Sequence, residues 1–474
     1  MSEAPAPTQN GAITGRLGVW SIVLMVLAGA APLAVVVANV PLIISLGQSS
    51  SVAFFFVLTA VLLVLFAVGF TRMSRYVKNA GAFFTYVLAG LGKLSGTGAA
   101  MVAIVAYFMV VIAEAAYIGE DLSALIQRYS GWGSPWWIWA LASIVLFGLL
   151  GYRDIVLSAR VLGVFLGIET ILVLSMDIAV FAQSGRFAVE ALSPAGLTSP
   201  GAPIGILFCV LCFIGFEATA VFRSEAKDPE KTIPRATYVA VVGIGLFYTL
   251  SSIAVVSGVA PGTVVDAATQ DPANLTLGVA TRFLGAVGGD LMQIFLLSSL
   301  FACGLSFHNV TTRYLRSLGL AHIFPQSLGA YSPRFKAPTR ASLTISVITL
   351  AVMLVCIITQ LDPINAVYAW FSGGLVYGVL ILMTLTSLAV VVFFRRNRTT
   401  HPVGTWRGLV APLIAFVGLA AVLVLACVNV GLLIADPIPA AIIVGVLVVA
   451  FVYGAIASRT QRVDIMGALD AADL

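Results

Sequence analysis

Charged residues are scarce in this 474-residue sequence, because Asp, Glu, Lys and Arg together make up 9% of it, whereas soluble domains carry about 25%. So few charges cannot cover a water-exposed surface. The mean hydropathy is +1.06, and apolar runs recur that are long enough to cross ~30 Å of hydrocarbon as helices. The sequence therefore predicts an all-α polytopic membrane protein. It excludes soluble enzymes, nucleic-acid-binding modules and disulfide-rich secreted domains.

Cysteine and histidine are also rare, with five and three residues. All five cysteines lie inside apolar runs, where a thiol behaves as a small apolar group. Cys209 and Cys212 have the spacing of a redox motif but lack the polar surroundings that such a site needs. An ATP-binding loop is absent too, which argues against a primary pump. We therefore expect no catalytic residue, no metal site and no cofactor.

Apolar runs bounded by Gly, Pro and basic residues predict twelve membrane spans. The first 14 residues contain one acid and no base, so we expect a disordered cytoplasmic tail and insertion through the first span rather than through a cleavable signal peptide. The predicted spans lie at 17–46, 52–71, 97–126, 135–151, 159–182, 204–222, 238–259, 289–311, 341–360, 365–394, 408–434 and 437–457.

The segments between the predicted spans are alternately rich and poor in basic residues, as this topology requires. Of the 25 Lys and Arg, 22 fall on the side of the N-terminus, and Arg128, Arg186 and Arg282 fall on the other. Because basic residues accumulate on the cytoplasmic side, we expect both termini, including a tail at 458–474, in the cytoplasm of a bacterial-type plasma membrane. The linkers leave no room for a soluble catalytic domain.

Two spans carry features that interrupt a helix. In the first, Pro32 follows the small residues Ala28, Gly29, Ala30 and Ala31, and proline removes a backbone donor and clashes with the preceding turn. The alternative is a simple proline kink. In the sixth, Gly215 precedes Phe216 and Glu217 inside an apolar run. Interrupted helices five spans apart indicate an inverted repeat with a solute site at the midplane.

Carboxylates within predicted spans are the strongest chemical signal, because a charge at the bilayer centre costs about 2.5–3.5 kcal/mol. Glu114, Glu169, Asp177 and Glu217 qualify. Each either faces a ligand, water or proton pathway, or stays protonated and hydrogen-bonded to a neighbouring helix. We predict proton coupling at Glu114, Glu169 and Glu217. Among the aromatic residues, Tyr107, Phe213 and Phe216 are candidates for the wall of a substrate pocket.

Three motifs resemble the amino acid–polyamine–organocation transporter superfamily. The first is Gly215-Phe216-Glu217 followed, at residues 225–236, by Glu-Ala-Lys-Asp-Pro-Glu-Lys-Thr-Ile-Pro-Arg-Ala. The second is the loop at 78–86, and the third runs from Arg313 through Pro325 to Pro338. Together they cover nearly the whole chain.

The resemblance implies a LeuT-like fold with a five-plus-five inverted repeat, residues 15–182 and 183–394, and two further helices at 395–457. It implies secondary transport of amino acids or related amines by alternating access. Glu217 matches a glutamate implicated in proton sensing in arginine–agmatine antiporters. Glu169 lies where several relatives place a lysine, and a glutamate there could instead bind a cation or a proton. The first-helix motif has one glycine where the family has two.

We therefore predict a permease for a small amino acid or amine, driven by protons or by exchange. Its substrate site is predicted at Ala28, Gly29, Ala30, Ala31, Tyr107, Phe213, Gly215 and Phe216. The expected partners are the substrate, protons and the lipid bilayer, with no nucleic acid, and the chain could act as a monomer or a homodimer. A polyamine or other organic-cation carrier is the alternative within transport, and a membrane receptor or a channel is the alternative outside it.

Overall fold

The computed structural model describes residues 17–77, 83–152, 159–220, 223, 226–332, 334–335, 337–429 and 437–460. The predicted N-terminal tail, and residues 461–474 of the predicted C-terminal tail, lie outside the described residues. Within them the chain is helical and contains no strand, and its β-type pairing is limited to two isolated bridges.

Fifteen helices of the described chain are named here. They are α1 Val19–Ala30, α2 Pro32–Gly47, α3 Val52–Met73, α4 Phe83–Leu91, α5 Lys93–Ser130, α6 Trp136–Tyr152, α7 Ala159–Ser184, α8 Ala202–Cys212, α9 Pro229–Ser257, α10 Val264–Gln270, α11 Pro272–Leu320, α12 Thr339–Ile358, α13 Pro363–Arg396, α14 Trp406–Val428 and α15 Pro437–Thr460.

The helices bear out a multi-pass membrane protein. Among the described residues, ten helical segments are long and apolar enough to cross a membrane, and the bent pair α1 and α2 makes an eleventh span. The predicted span at 135–151 coincides with the shorter apolar helix α6, which has 17 residues. Each predicted span thus overlaps helix, while the total of twelve stays a prediction.

The first span is broken where the sequence predicts. α1 ends at Ala30, Ala31 adopts a left-handed backbone conformation with φ 46°, and α2 starts at Pro32. The two halves meet at a 44° bend. A proline is well placed at the first position of a helix because it has no amide hydrogen to leave unbonded. Residues Val35–Asn39 of α2 then form a π-helical turn, a distortion that is frequent at functional sites.

The sixth span is broken at its glycine. α8 ends at Cys212, and a turn leads into the 3₁₀ segment Phe216–Ala220. Gly215 has φ +114°, a conformation that side chains disfavour and that glycine adopts freely. Both predicted interruptions are therefore confirmed as breaks of the backbone helix.

The longest buried helix organises the interior. α5 is buried along most of its length, and it packs against α6, α11, α13 and α15. Small residues permit close approach at these contacts, because a Cβ at Gly378 of α13 would collide with Ala106 of α5. Helices in membranes commonly associate through such small-residue contacts. α5 therefore supplies a rigid wall facing the two breaks.

Three glycines join α2 to α8, and we call them the glycine seam: Gly47, Gly201 and Gly205. A Cβ at Gly201 would collide with the Leu46 carbonyl oxygen and would lie 2.9 Å from the Cα of Gly47. A Cβ at Gly205 would lie 3.4 Å from the same Cα. The seam brings the backbones of α2 and α8 into direct contact.

We expect Gly201→Ala to lower the thermal unfolding midpoint of the detergent-solubilised protein. The added methyl group must push α2 away from α8, and overpacking of this kind costs about 1–3 kcal/mol. Gly243→Ala in α9 is the matched control, because a Cβ at Gly243 meets nothing within 4 Å. Equal midpoints for the two variants would show that the seam does not stabilise the fold.

Candidate functional site

The two breaks lie side by side at the centre of the helix bundle. A Cβ built at Gly215 would lie 3.5 Å from the amide nitrogen of Ala30. Tyr248 of α9 donates its hydroxyl to the carbonyl of Ala30 at 3.4 Å. The last carbonyls of α1 and the first amides of α2 lack partners within their own helices. Backbone carbonyls and amides without a partner in their own helix therefore lie close together at the two breaks, and Tyr248 is bonded to one of these carbonyls.

A small buried cavity opens beside the breaks. It has a volume of about 50 Å³ and is bounded by α1, α2, α5, α8, α11 and α13. A water molecule requires roughly 10–15 Å³, so the cavity admits a few waters or part of a small solute. The lining residues are Gly29, Ala30, Ala31, Ala34, Val35, Asn39, Val110, Glu114, Leu211, Cys212, Ile214, Leu300, Cys303, Phe307, Tyr368, Ser372 and Leu375.

Two acceptor atoms in this lining have no hydrogen-bond partner. Glu114 and Asn39 are 8% and 6% exposed. Their Oε2 and Oδ1 atoms are buried and unbonded to any described residue. The Cys303 side chain lines the same cavity as Glu114. A buried polar atom without a partner costs about 1–3 kcal/mol, so both acceptors are poised for a donor that enters the cavity.

The electrostatics of the lining favour a cation. Its acidic side chain is the Glu114 carboxyl group, and the lining includes no Lys, Arg or His. An ammonium group has three donors, which suits two acceptors in one small space. The amides at the start of α2 are hydrogen-bond donors suited to an anionic group, since helix N-termini attract negative charge.

Glu217 lies behind the cavity, with two side chains between them. Its Oε1 accepts from the Tyr107 hydroxyl at 3.0 Å, and its Oε2 accepts from the Gly215 amide at 2.8 Å. The Tyr107 ring contacts the ring of Phe307 with centroids 5.5 Å apart, and Phe307 lines the cavity. Glu217 therefore joins the break after α8 to α5 by hydrogen bonds. The rings of Tyr107 and Phe307 connect it to the cavity.

Glu169 lies on the opposite flank of α11. Its Oε1 accepts from the Ser298 hydroxyl at 3.0 Å, which links α7 to α11. Ser298 precedes the cavity-lining residues Leu300 and Cys303 on the same helix. A fourth buried carboxylate, Asp177, accepts from Ser251 of α9 at 2.7 Å. Neither acid lines the cavity.

The predicted site residues fall into three groups. Gly29, Ala30, Ala31 and Glu114 line the cavity, while the side chain of Ala28 lies outside the described residues. Tyr107, Gly215 and Glu217 form the layer behind it. Phe213, Phe216 and Glu169 lie outside the lining. Phe213 contacts Phe56 and Tyr248, and Phe216 contacts Phe66 edge to face at 5.9 Å.

Several lining residues escaped the sequence analysis. Asn39 carries a signal that could have been used, because it is a lone polar residue in the apolar stretch after Pro32. Tyr368 and Ser372 reach the cavity from α13, whose start is fixed by the Asp362 carboxylate accepting from the amides of Ile364 and Asn365 at 3.0 and 2.6 Å. No pattern in the sequence marks Cys303 as a neighbour of Glu114.

The comparison with protein families decides the identity of this arrangement. A family model described as amino acid permease matches residues 17–451. The chain belongs to the amino acid permease family. The resemblance to the amino acid–polyamine–organocation superfamily is thereby confirmed, and the permease is a multi-pass secondary transporter. Its all-helical fold with two broken spans is consistent with the LeuT-like architecture that the resemblance implies.

Curated relatives of the permease are transporters as well. It is 21% identical to the serine/threonine exchanger SteT of Bacillus subtilis over 386 residues, covering 79% of this chain and 81% of the relative. It is 24% identical to the aromatic amino acid transport protein AroP of Escherichia coli over 366 residues, covering 74% and 77%. It is 22% identical to the aspartate-proton symporter of Bacillus subtilis over 215 residues, covering 44% and 41%.

Proposed function

We propose that this permease carries a small amino acid or related amine by alternating access, with the cavity beside the two breaks as its substrate site. The observation that carries the proposal is the pair of unpartnered acceptors, Glu114 Oε2 and Asn39 Oδ1, in one buried cavity. The ammonium group of the substrate occupies this acceptor pair. Its carboxylate, where it has one, meets the free amides of Leu33 and Ala34 at the start of α2.

The small cavity volume favours a small solute. About 50 Å³ admits a few waters or part of a small solute, and the lining is apolar apart from Asn39, Glu114, the two cysteines, Tyr368 and Ser372. Relatives named for serine and threonine exchange, aromatic amino acids and aspartate–proton symport span several substrate classes. The family therefore supports amino acids in general, and the cavity favours the smaller ones.

A polyamine or other organic cation is the second candidate substrate class. The lining contains one carboxyl group and no basic side chain, which supports this substrate class. The carboxyl group can pair with a cation, and no basic side chain is present to pair with the carboxylate of an amino acid. Competition between putrescine and serine for uptake separates the two classes.

We assign proton coupling to Glu169 and Glu217, and we assign Glu114, which the sequence also predicts as a coupling residue, to the ammonium site instead. A carboxylate held between two helices resists closure of the bundle over it while it is charged, because burial of an unpaired charge is costly. Protonation removes that cost and shifts the populations of the open and closed states. Glu169 bridges α7 and α11, and Glu217 bridges α5 and the break after α8. Exchange without protons is the alternative driving force.

The orientation follows from the basic residues. We place the termini and the basic loops in the cytoplasm of a bacterial-type plasma membrane. Residues 15–182 and 183–394 are proposed as the two halves of an inverted repeat, with α14 and α15 as additions. The chain works without a cofactor, as a monomer or a homodimer.

Uptake into proteoliposomes tests the function and the role of Glu169 together. We expect wild type to accumulate radiolabelled serine or another small amino acid, and an inward proton gradient to raise the initial rate. In Glu169→Gln the stimulation by the gradient is lost, while exchange against internal substrate continues. Asp177→Asn is the matched control, since it removes a second buried acid of the same helix, and it keeps the stimulation.

Two results would contradict these assignments. Absence of uptake for every amino acid and amine, in protein that is folded and correctly inserted, would overturn the transport proposal at this site. Equal stimulation in wild type and Glu169→Gln would leave transport in place but remove Glu169 from the coupling. Flux far above carrier turnover, with no dependence on a gradient or an exchange partner, would indicate a channel.

A further inference from the structure

A second, larger cavity lies where α3 ends and α9 and α14 begin, and it shares no lining residue with the substrate site. It has a volume of about 440 Å³. Four guanidinium groups line it, together with two aromatic side chains. The lining residues that matter are Arg72, Arg75, Arg235, Arg407, Tyr238 and Trp406. No carboxylate belongs to the lining.

These arginines have no acidic partner among the residues that the structure describes. The three ion pairs found there involve other basic residues. Arg72 donates to the Tyr76 hydroxyl at 3.3 Å, and its Nε is buried and without a hydrogen-bond partner. Four like charges around one space repel one another unless an anion lies between them. The guanidinium fork matches the oxygens of a phosphate group in particular.

Topology alone does not account for this cluster. The positive-inside rule calls for basic residues on one side of the membrane, and scattered exposed positions satisfy it. Arg395 and Arg396 at the end of α13 are examples, because both are exposed and neither lines the cavity. The convergence of arginines from three different helices on one cavity requires a further reason.

Exposed apolar residues continue from the cavity along all three helices. Val61 of α3 lies eleven residues from Arg72, Leu246 of α9 lies eleven from Arg235, and Val417 of α14 lies eleven from Trp406. Eleven residues are about three helical turns, which returns to the same face about 16 Å deeper in the membrane. These side chains are 55%, 61% and 58% exposed. Arg72, Arg235 and Trp406 are thus each aligned with an uncovered apolar surface.

We propose that this cavity binds the phosphate headgroup of an anionic membrane lipid, whose acyl chains lie on the exposed apolar faces of α3, α9 and α14. Basic pockets between membrane helices are suited to such headgroups. Trp406, at the start of α14, has the kind of amphipathic ring that is enriched at membrane interfaces. A free phosphate ion would use the arginines but not the three apolar faces, so the alignment selects the lipid as the source of the phosphate.

Lipid binding to the purified full-length protein in neutral detergent tests the assignment. Native mass spectrometry counts bound phosphatidylglycerol and compares it with phosphatidylcholine. We expect phosphatidylglycerol to bind preferentially, and Arg72→Gln combined with Arg235→Gln to weaken its binding roughly tenfold or more. The matched control is Arg395→Gln combined with Arg396→Gln, which removes the same charge from the same side and leaves the binding unchanged.

Several outcomes would overturn the lipid site. These are equal binding of phosphatidylcholine, equal losses in the two double variants, and displacement of the lipid by millimolar inorganic phosphate. The last would indicate a site for the free ion. Size-exclusion chromatography checks that each variant is folded. Arg407→Gln, at an exposed position of α14, provides a second test that does not disturb buried contacts, with an expected loss of several-fold.

Discussion

Glu114→Gln should raise the KM for substrate uptake about 10- to 100-fold while the protein still folds and inserts. The substitution keeps the size of the side chain and its acceptor oxygen, but it removes the charge that faces the cavity. Hydrogen bonds to charged groups contribute about 1.5–3 kcal/mol, and each 1.4 kcal/mol is a tenfold change in affinity. Initial uptake rates against substrate concentration in proteoliposomes give the KM directly.

Asp121→Asn is the matched control for this change, because Asp121 is on the same helix and is bonded to Gln293 rather than exposed to the cavity. We expect its KM to remain at the wild-type value. Asn39→Ala should raise the KM for the same substrate by a smaller factor, because it removes a neutral acceptor. An unchanged KM in both Glu114→Gln and Asn39→Ala would show that the ammonium group binds elsewhere.

Glu217→Gln should abolish the stimulation of uptake by a proton gradient. Glutamine is permanently neutral, so the bridge between Tyr107 and the Gly215 amide can no longer change with protonation. Its amide oxygen can still accept from Gly215, which preserves the break after α8. The expected initial rate with a gradient therefore equals the rate without one, measured as uptake of labelled substrate at matched internal pH.

Two further variants locate the effect. Tyr107→Phe removes the hydroxyl that donates to Glu217 and leaves its carboxyl group in place, so the stimulation should persist with altered pH dependence. Glu230→Gln, at an exposed position near the start of α9, should behave as wild type. A full stimulation in Glu217→Gln would assign the coupling to other groups.

The features that depend on local chemistry could be predicted from the sequence. Pro32 favours a break because it has no amide hydrogen to donate, and Gly215 favours one because it adopts positive φ freely, and both properties belong to the residue itself. The prediction of membrane spans succeeds for a similar reason, since the length of an apolar run and the thickness of a bilayer decide it. The acids inside spans were identifiable because burial of a charge is costly at any such position.

The features that depend on which helices are neighbours could not be predicted in the same way. Phe213 and Phe216 flank a break and look like pocket walls, but their rings pack against Phe56, Tyr248 and Phe66. Asn39 and Glu114 lie 75 positions apart in the sequence, and their shared cavity arises because α2 and α5 both pack against α11. A single sequence contains no direct record of that packing.

The glycine seam has a consequence for how such a cavity could open. Because the backbones of α2 and α8 touch at Gly47, Gly201 and Gly205, a tilt of one helix alone either collides with the other or loses their packing, so we expect the two helices to move together. Asn39 is on α2 and Cys212 is at the end of α8. A solute that binds Asn39 and shifts α2 is therefore expected to shift α8 and Cys212 as well. We therefore expect the two half-helices to move as one rigid body when the substrate binds at Asn39.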